Sequence, residues 1–402
     1  MCGKVGKRAW IALALMLGGI FTKGVHGNGY EVADQGARAI GQANAFAAQA
    51  DDASAIYYNP AGLTQVRGTQ LTGGSYFFFP DVHFSGESGA DERMTQWAPI
   101  PHFYAASGFG TDRWRFGLGV NNVFGLDEDW GDESFRTLVT KAHLYVINIA
   151  PTVAVRVNDH LSLGAELNVY YADAELNRRV PLGPPPMPEA TYHLEGQGVS
   201  AGATFGAMYK FNERHTLAAV YRSPFSVRLD GEAELEGLAS SDADAHIKFP
   251  EMAILAYAFR PTQRWKLETD IEFTNWETFD AIRIDADNPA LSGSIPTEWL
   301  DSMTYRFGTQ YDLDRHWAVR AGYAFGQSST PESTYSPLLP DSNFHSFCAG
   351  LGYSQKAWSL DLAYQYILRE RTIIHDSINS PLVNGTWENQ SHAVALTLTI
   401  RF

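Results

Sequence analysis

WKLETDIEFT, residues 265–274, alternates without a slip. Trp265, Leu267, Thr269, Ile271 and Phe273 fall on one side of an extended chain, and Lys266, Glu268, Asp270 and Glu272 on the other. Three further stretches repeat the pattern. Trp358, Leu360, Leu362, Tyr364, Tyr366 and Leu368 oppose Ser359, Asp361, Ala363 and Gln365; Trp317, Val319, Ala321, Tyr323 and Phe325 oppose Arg320, Gly322 and Gly326; Val394, Leu396, Leu398, Ile400 and Phe402 oppose Ala395, Thr397, Thr399 and Arg401. Period two means strands, but a soluble sandwich alternates as well, so the pattern alone does not say whether the apolar face meets a core or lipid.

The connections supply the direction. Tight turns fall at residues 110–112, 158–159, 212–213, 261–262, 312–315 and 354–355. Long loops fall between them at 81–96, 127–140, 178–193, 232–246, 285–298, 327–342 and 370–388. Short turns on one side and long loops on the other, with Trp and Tyr near strand ends, are the pattern of an outer-membrane barrel. The spacing predicts an all-β fold, a 14-stranded antiparallel transmembrane β-barrel with both chain ends on the short-turn side. Closure leaves no edge whose unpaired amides would face lipid. Glu166, Glu268, Asp270, Glu272, Asp361, Arg156, Arg222, Arg306, Arg320 and Arg401 would then line a polar lumen, paired and hydrated.

Composition agrees. Aromatic residues make up 13% of the 402 residues and Gly contributes 36, which suits pleated strands, bulges and close approaches. A formal charge of −15, without a basic run beyond the first residues, argues against a nucleic-acid partner. Beyond the N-terminal segment no apolar run reaches the length of a membrane helix.

Residues 1–27 read as a signal peptide: Lys4, Lys7 and Arg8, an apolar run from Trp10 to Phe21, then Val25, His26 and Gly27. Cys2 lies too near the start to be a lipoprotein acceptor. Cleavage would leave Cys348 alone, so no disulfide forms within the mature chain.

Residues 28–66, NGYEVADQGARAIGQANAFAAQADDASAIYYNPAGLTQV, differ from everything that follows. They are rich in Ala and Gly, do not alternate, and end in a turn-forming run. A small-residue segment ahead of a series of strands predicts an N-terminal hatch (28–66) plugging the barrel (67–402). In the third strand Gly117, Gly119, Gly125 and the adjacent Asn121 and Asn122 break the alternation, in a run that also holds Phe124. An ordinary bulge near the rim would also account for that run.

Three patterns imitate chemistry. Residues 198–202 spell G-x-S-x-G, but the nucleophile elbow needs strand, turn and helix, and here the strand pattern runs on to Phe211. The acidic run at 127–133 lacks the spaced ligands and turn glycine of an EF-hand, and reads as a solvated loop. The histidines form no zinc motif. No catalytic residue, metal or cofactor is expected.

The ordered set Gly36-Ala37-Arg38-Ala39, Gly41, Ala50-Asp51-Asp52-Ala53-Ser54-Ala55 and Asn59-Pro60-Ala61 resembles the hatch of the FadL family of long-chain fatty acid and hydrocarbon transporters. The resemblance continues through Pro101-His102-Phe103, residues 117–126, Tyr221-Arg222-Ser223, Phe273-Thr274-Asn275-Trp276 and a terminal Phe402. It implies passive uptake of long-chain fatty acids or other hydrophobic molecules across the bacterial outer membrane, by a monomer embedded in outer-membrane lipid. It also implies an inward kink of the third strand that opens a lateral gate, with the Asn59-Pro60-Ala61 triplet against that kink. For substrate binding it points to Arg178 or Arg179, beside the apolar loop that holds Leu182 and Met187. At the start of the tenth strand, where a second cation would be expected, this chain has Glu298 and Asp301, so a carboxylate on the substrate stays open. A barrel enzyme acting on lipids and a general porin are the alternatives.

Overall fold

The computed structural model describes residues 29–402 apart from 185–186; the signal peptide expected at 1–27 lies outside the described residues. Fourteen strands form the wall: β1 (Thr69–Gly86), β2 (Ala98–Ser107), β3 (Trp114–Asp129), β4 (Lys141–Arg156), β5 (Leu161–Pro181), β6 (Glu189–Lys210), β7 (His215–Arg222), β8 (Met252–Thr262), β9 (Trp265–Thr274), β10 (Ser302–Asp312), β11 (Trp317–Gly326), β12 (Phe344–Ser354), β13 (Trp358–Arg369) and β14 (Gly385–Arg401). Each pairs antiparallel with the next. β14 returns to β1 in continuous register from Arg401↔Gln70 to Gly385↔Gly86, which closes the barrel.

The burial pattern is that of a membrane protein. Glu166, Glu268, Asp270, Glu272, Arg306, Arg320 and Asp361 are buried, while Leu167, Phe205, Leu255, Phe307, Phe347 and Leu396 on the opposite face are exposed. In water this inversion would be unstable; with lipid outside it places apolar groups in hydrocarbon and charges in the lumen. Trp114, Trp265, Trp317 and Trp358 are exposed and each is the first residue of its strand on the short-turn side, as an interfacial girdle requires.

On the long-loop side the loops are more ordered than their composition suggests. The segment read as a loop at 232–246 belongs to a hairpin, Phe225–Leu235 with Ala239–Phe249, which pairs with the upper part of β6 and carries Ala281–Ala286 on its other edge. The alternation of Phe225, Val227 and Leu229 was legible, but the acidic residues after it masked the strand. At the long-loop end Phe84 of β1 and Trp387 of β14 meet Trp130, Phe135 and Tyr335 from two loops in an aromatic cap, with ring centroids 4.5 Å apart for Phe84 and Trp387 and 5.3 Å for Phe135 and Trp387.

Candidate functional site

The hatch fills the lumen because its side chains are small. Ala37, Ala39, Ala43, Ala45, Ala47, Ala48, Ala50, Ala53 and Ala55 are all buried. Apart from two single-turn helices, Ala37–Ile40 and Ala55–Tyr58, and a 3-10 turn, Pro60–Gln65, its backbone is irregular, so its amides need partners from elsewhere. The wall provides them. On β9, Asp270 accepts from the N–H groups of Phe46 and Ala47 (3.2 and 3.3 Å), and Glu268 from those of Ala48 and Gln49 (2.6 and 2.9 Å). Arg115, Arg156 and Arg222 donate in turn to the carbonyls of Val66, Thr64 and Tyr57 at 2.7, 2.6 and 2.6 Å. The alternation first read as strand patterning is therefore also the hatch socket.

The triplet stands elsewhere than the resemblance suggested. Asn59 donates to the carbonyls of Ala47 and Ala207, and accepts from Ala61 N at 3.0 Å. Asn59 and Pro60 press on Gly206 of β6, and Pro60 and Ala61 on Gly164 of β5, where a Cβ would come within 2.2 Å of Asn59 Oδ1 and 2.3 Å of Pro60 C. The triplet thus faces β5 and β6, and the flanking Ile56 and Leu63 are the side chains that touch β3, at Gly117 and Gly119.

The third strand parts from one neighbour and keeps the other, pairing with β4 from Trp114↔Val155 to Asp129↔Lys141. β2 and β3 pair only from Ser107↔Phe116 to Phe103↔Val120 among the described residues. Past that point every residue from 121 to 128 is buried, and the register with β4 slips between Asn122 and Phe124. The hatch takes over as partner. Val32 N donates to Val123 O and Gly125 N to Tyr30 O, both at 2.9 Å, and Gln35 Nε2 donates to Asn122 O. Both side-chain amide atoms of Asn121 are buried without a partner. The facing stretch of β2 carries Pro99 and Pro101, which have no N–H to give to a ladder. Those two prolines, just beyond the last β2–β3 pair at Phe103↔Val120, were the sequence signal for where that pairing ends.

Above the hatch lies an apolar cavity with about 950 Å³ of empty space, open solvent at its mouth included. Its walls are the upper ends of β4, β5 and β6, the Phe225–Phe249 hairpin and the loops before β10 and β12. Leu144, Leu176, Leu194, Leu229 and Leu338 form much of them, and Tyr30 and Trp299 line it as well. Tyr30 is a hub, its ring 4.8 Å from that of Trp276, 5.3 Å from Phe279, 5.4 Å from Trp299 and 5.7 Å from Phe124 of β3. One residue therefore borders the cavity with its ring and pairs with the bent strand through its backbone.

The residues first suggested for binding sit further out, and none lines this cavity. Arg179 grips Asp132 with two bonds of 2.8 and 2.7 Å, and this hydrogen bonding holds the Asp132 carboxyl below its usual range. The Arg178 guanidinium lies 5.1 Å over the Tyr192 ring. Leu182 and Met187 are exposed on the outer loop.

A closed barrel with an apolar exterior, an aromatic girdle and a plugged lumen defines an outer-membrane protein of the bacterial envelope. The chain matches, over residues 19–402, the family described as outer membrane protein transport protein (OMPP1/FadL/TodX), and it belongs to that family. It is 23% identical over 370 residues to the long-chain fatty acid transport protein of Shigella flexneri, covering 79% of this chain and 82% of that one. To a putative outer membrane protein of Neisseria meningitidis it is 28% identical over 414 residues, or 88% and 89% of the two chains. Its fold is similar to that of a Pseudomonas aeruginosa FadL homologue, with a TM-score of 0.84 at 20% identity over 93% of this chain and all of that one. The Pseudomonas putida toluene transporter TodX gives 0.72 at 18% identity, over 94% and 99%.

Proposed function

We propose that the protein carries hydrophobic molecules passively from the cell surface into the outer membrane. They are held in the apolar cavity and released sideways between β2 and β3. The observation that carries this reading is Tyr30, which separates the cavity from the bent part of β3 and is bonded to it. Relatives named for fatty acid and toluene transport support the substrate class. Partition of an apolar solute from water into lipid provides the driving force.

The lipid-enzyme alternative has little to rest on: Ser200 of the G-x-S-x-G run stands within β6 and donates to the Ser226 carbonyl at 2.7 Å. For a porin the hatch would be an obstruction.

Tyr30→Ala tests the route. Truncating a buried aromatic costs about 3–5 kcal/mol, so the bridge to β3 should loosen. Uptake of an apolar fluorescent probe by cells should rise several-fold with barrel assembly unchanged. Uptake equal to that of the parent protein would mean that the cavity and the β2–β3 break do not communicate through Tyr30.

A further inference from the structure

The stretch of hatch that bonds to β3 carries a carboxyl group its surroundings leave poorly answered. Glu31 stands between Tyr30 and Val32, whose backbones bond β3, and it forms an antiparallel bridge with Phe124 itself. Its side chain is 2% exposed. Oε2 has no hydrogen-bond partner, and Oε1 reaches only the Tyr57 hydroxyl at 3.5 Å and the Arg222 guanidinium at 4.0 Å. Both have closer partners. The Tyr57 hydroxyl donates to the Val32 carbonyl at 3.2 Å, and Arg222 donates to the Tyr57 carbonyl at 2.6 Å with its guanidinium 4.1 Å over the Tyr57 ring.

The charges around this group do not balance. Among the described residues the cations that face Glu31 are Arg222 of β7 and Arg306 of β10. The same two guanidiniums also face Asp34 of the hatch, Glu166 of β5, and Asp270 and Glu272 of β9. Glu272 takes Arg306 at 3.0 Å, Asp34 accepts from Asn44 at 2.7 Å, Glu166 accepts from Asn148 at 3.3 Å, and Asp270 holds the hatch amides. Five buried carboxylates cannot all stay ionised against two guanidiniums, and Glu31 is the one with the most distant partners. Burial first, and then the charge of Glu272, push its carboxyl up to about 8.

We infer that Glu31 is a proton latch on the hatch: protonated, it lets residues 30–32 stay bonded to β3, and ionised, it drives that stretch away. Resting on the transport reading above, release of the latch frees the way from the cavity to the β2–β3 break. The direction follows from the two states of the carboxyl group. Released into water a glutamate titrates near about 4.3, lower than in the latched state, so the latch holds best in acid. It weakens by up to about tenfold for each pH unit above that, and levels off once the latched carboxyl is itself ionised.

Amide exchange at Val32 and Gly125 reads the latch without any substrate, because their N–H groups make two of the bonds between hatch and β3. Exchange is measured on the detergent-solubilised protein at about pH 5.5 and about pH 7.5 and divided by the intrinsic rate at each pH. Protection should fall at least about tenfold at the higher pH, while the strands of the wall keep theirs. Glu31→Gln keeps the shape and cannot ionise, so it should hold the higher protection at both values, whereas Glu31→Asp should still show a fall. Equal protection at both values in the parent protein, or the same fall in Glu31→Gln, would overturn the latch. Entry of an uncharged apolar probe into cells, taken as the ratio of parent to Glu31→Gln, should rise over the same range. Exchange that follows pH with a ratio that stays flat would keep Glu31 as the latch and overturn release beside β3.

Discussion

Replacing Glu268 and Asp270 together by Ala should turn a closed lumen into a conducting one. Four consecutive hatch amides, from Phe46 to Gln49, have these two carboxylates as acceptors. Without them the amides stay buried and unanswered, at about 1–3 kcal/mol each, enough in sum to rival the margin that holds a small irregular segment in place. Arg115, Arg156 and Arg222 hold hatch carbonyls further along the segment, and the ties nearest the 46–49 turn, Asn59 on the Ala47 carbonyl at 2.8 Å and Lys266 of β9 with Asp51 at 3.2 Å, leave the four amides unanswered. In planar bilayers the parent protein should be nearly silent and the double variant should show steady ion conductance. A variant as silent as the parent would mean that packing of the alanines, not the carboxylate clamp, keeps the hatch seated.

Gly164→Val should have an effect of similar size by a different cause. A Cβ there would stand 2.3 Å from Pro60 C and 2.4 Å from Ala61 N, and these are backbone atoms that cannot swing away as a side-chain tip would. Overpacking of this kind costs about 1–3 kcal/mol even where neighbours adjust, and a rigid β-branched side chain against rigid backbone lies at the upper end. The hatch must therefore lift from β5, and amide exchange in residues 56–66 should speed up by orders of magnitude while the strands keep their protection. Gly293→Ala, with nothing within 4 Å of the added methyl, is the matched control and should change neither. Unchanged exchange in Gly164→Val would show that the triplet does not bear on the wall.

The barrel was legible because its evidence is local. Alternation in each strand, turn chemistry on one side and long loops on the other each occupy a short window, and closure follows from counting. The hatch was legible as a break in that pattern. Its orientation was not, because whether Asn59 faces β3 or β5 and β6 depends on how an irregular segment folds inside a closed wall. The cavity was invisible for a related reason. Leu144, Leu194, Leu229 and Leu338 come from four distant parts of the chain and each looks like an ordinary apolar position. Tyr30 stands at the start of the hatch with nothing to distinguish its ring from other buried aromatics. Arg178 and Arg179 drew attention because they are cations near an apolar loop, yet local partners, Tyr192 and Asp132, already engage them. Pro99 and Pro101 were the readable clue that the β2–β3 pairing stops at Phe103↔Val120, since a strand with two such residues cannot offer a continuous donor row.

The central claim, that molecules leave between β2 and β3, is tested most directly by tying the two strands together. Had their ladder continued past Phe103↔Val120, Pro101 would face Asn122. Cysteines at these two positions, joined by a cleavable bis-maleimide in intact cells, bridge the break without touching the cavity. Linkage should reduce uptake of an apolar probe to a small fraction of the unlinked level, and cleaving the linker should restore it. Full linkage with undiminished uptake would contradict lateral release and send the path through the hatch instead.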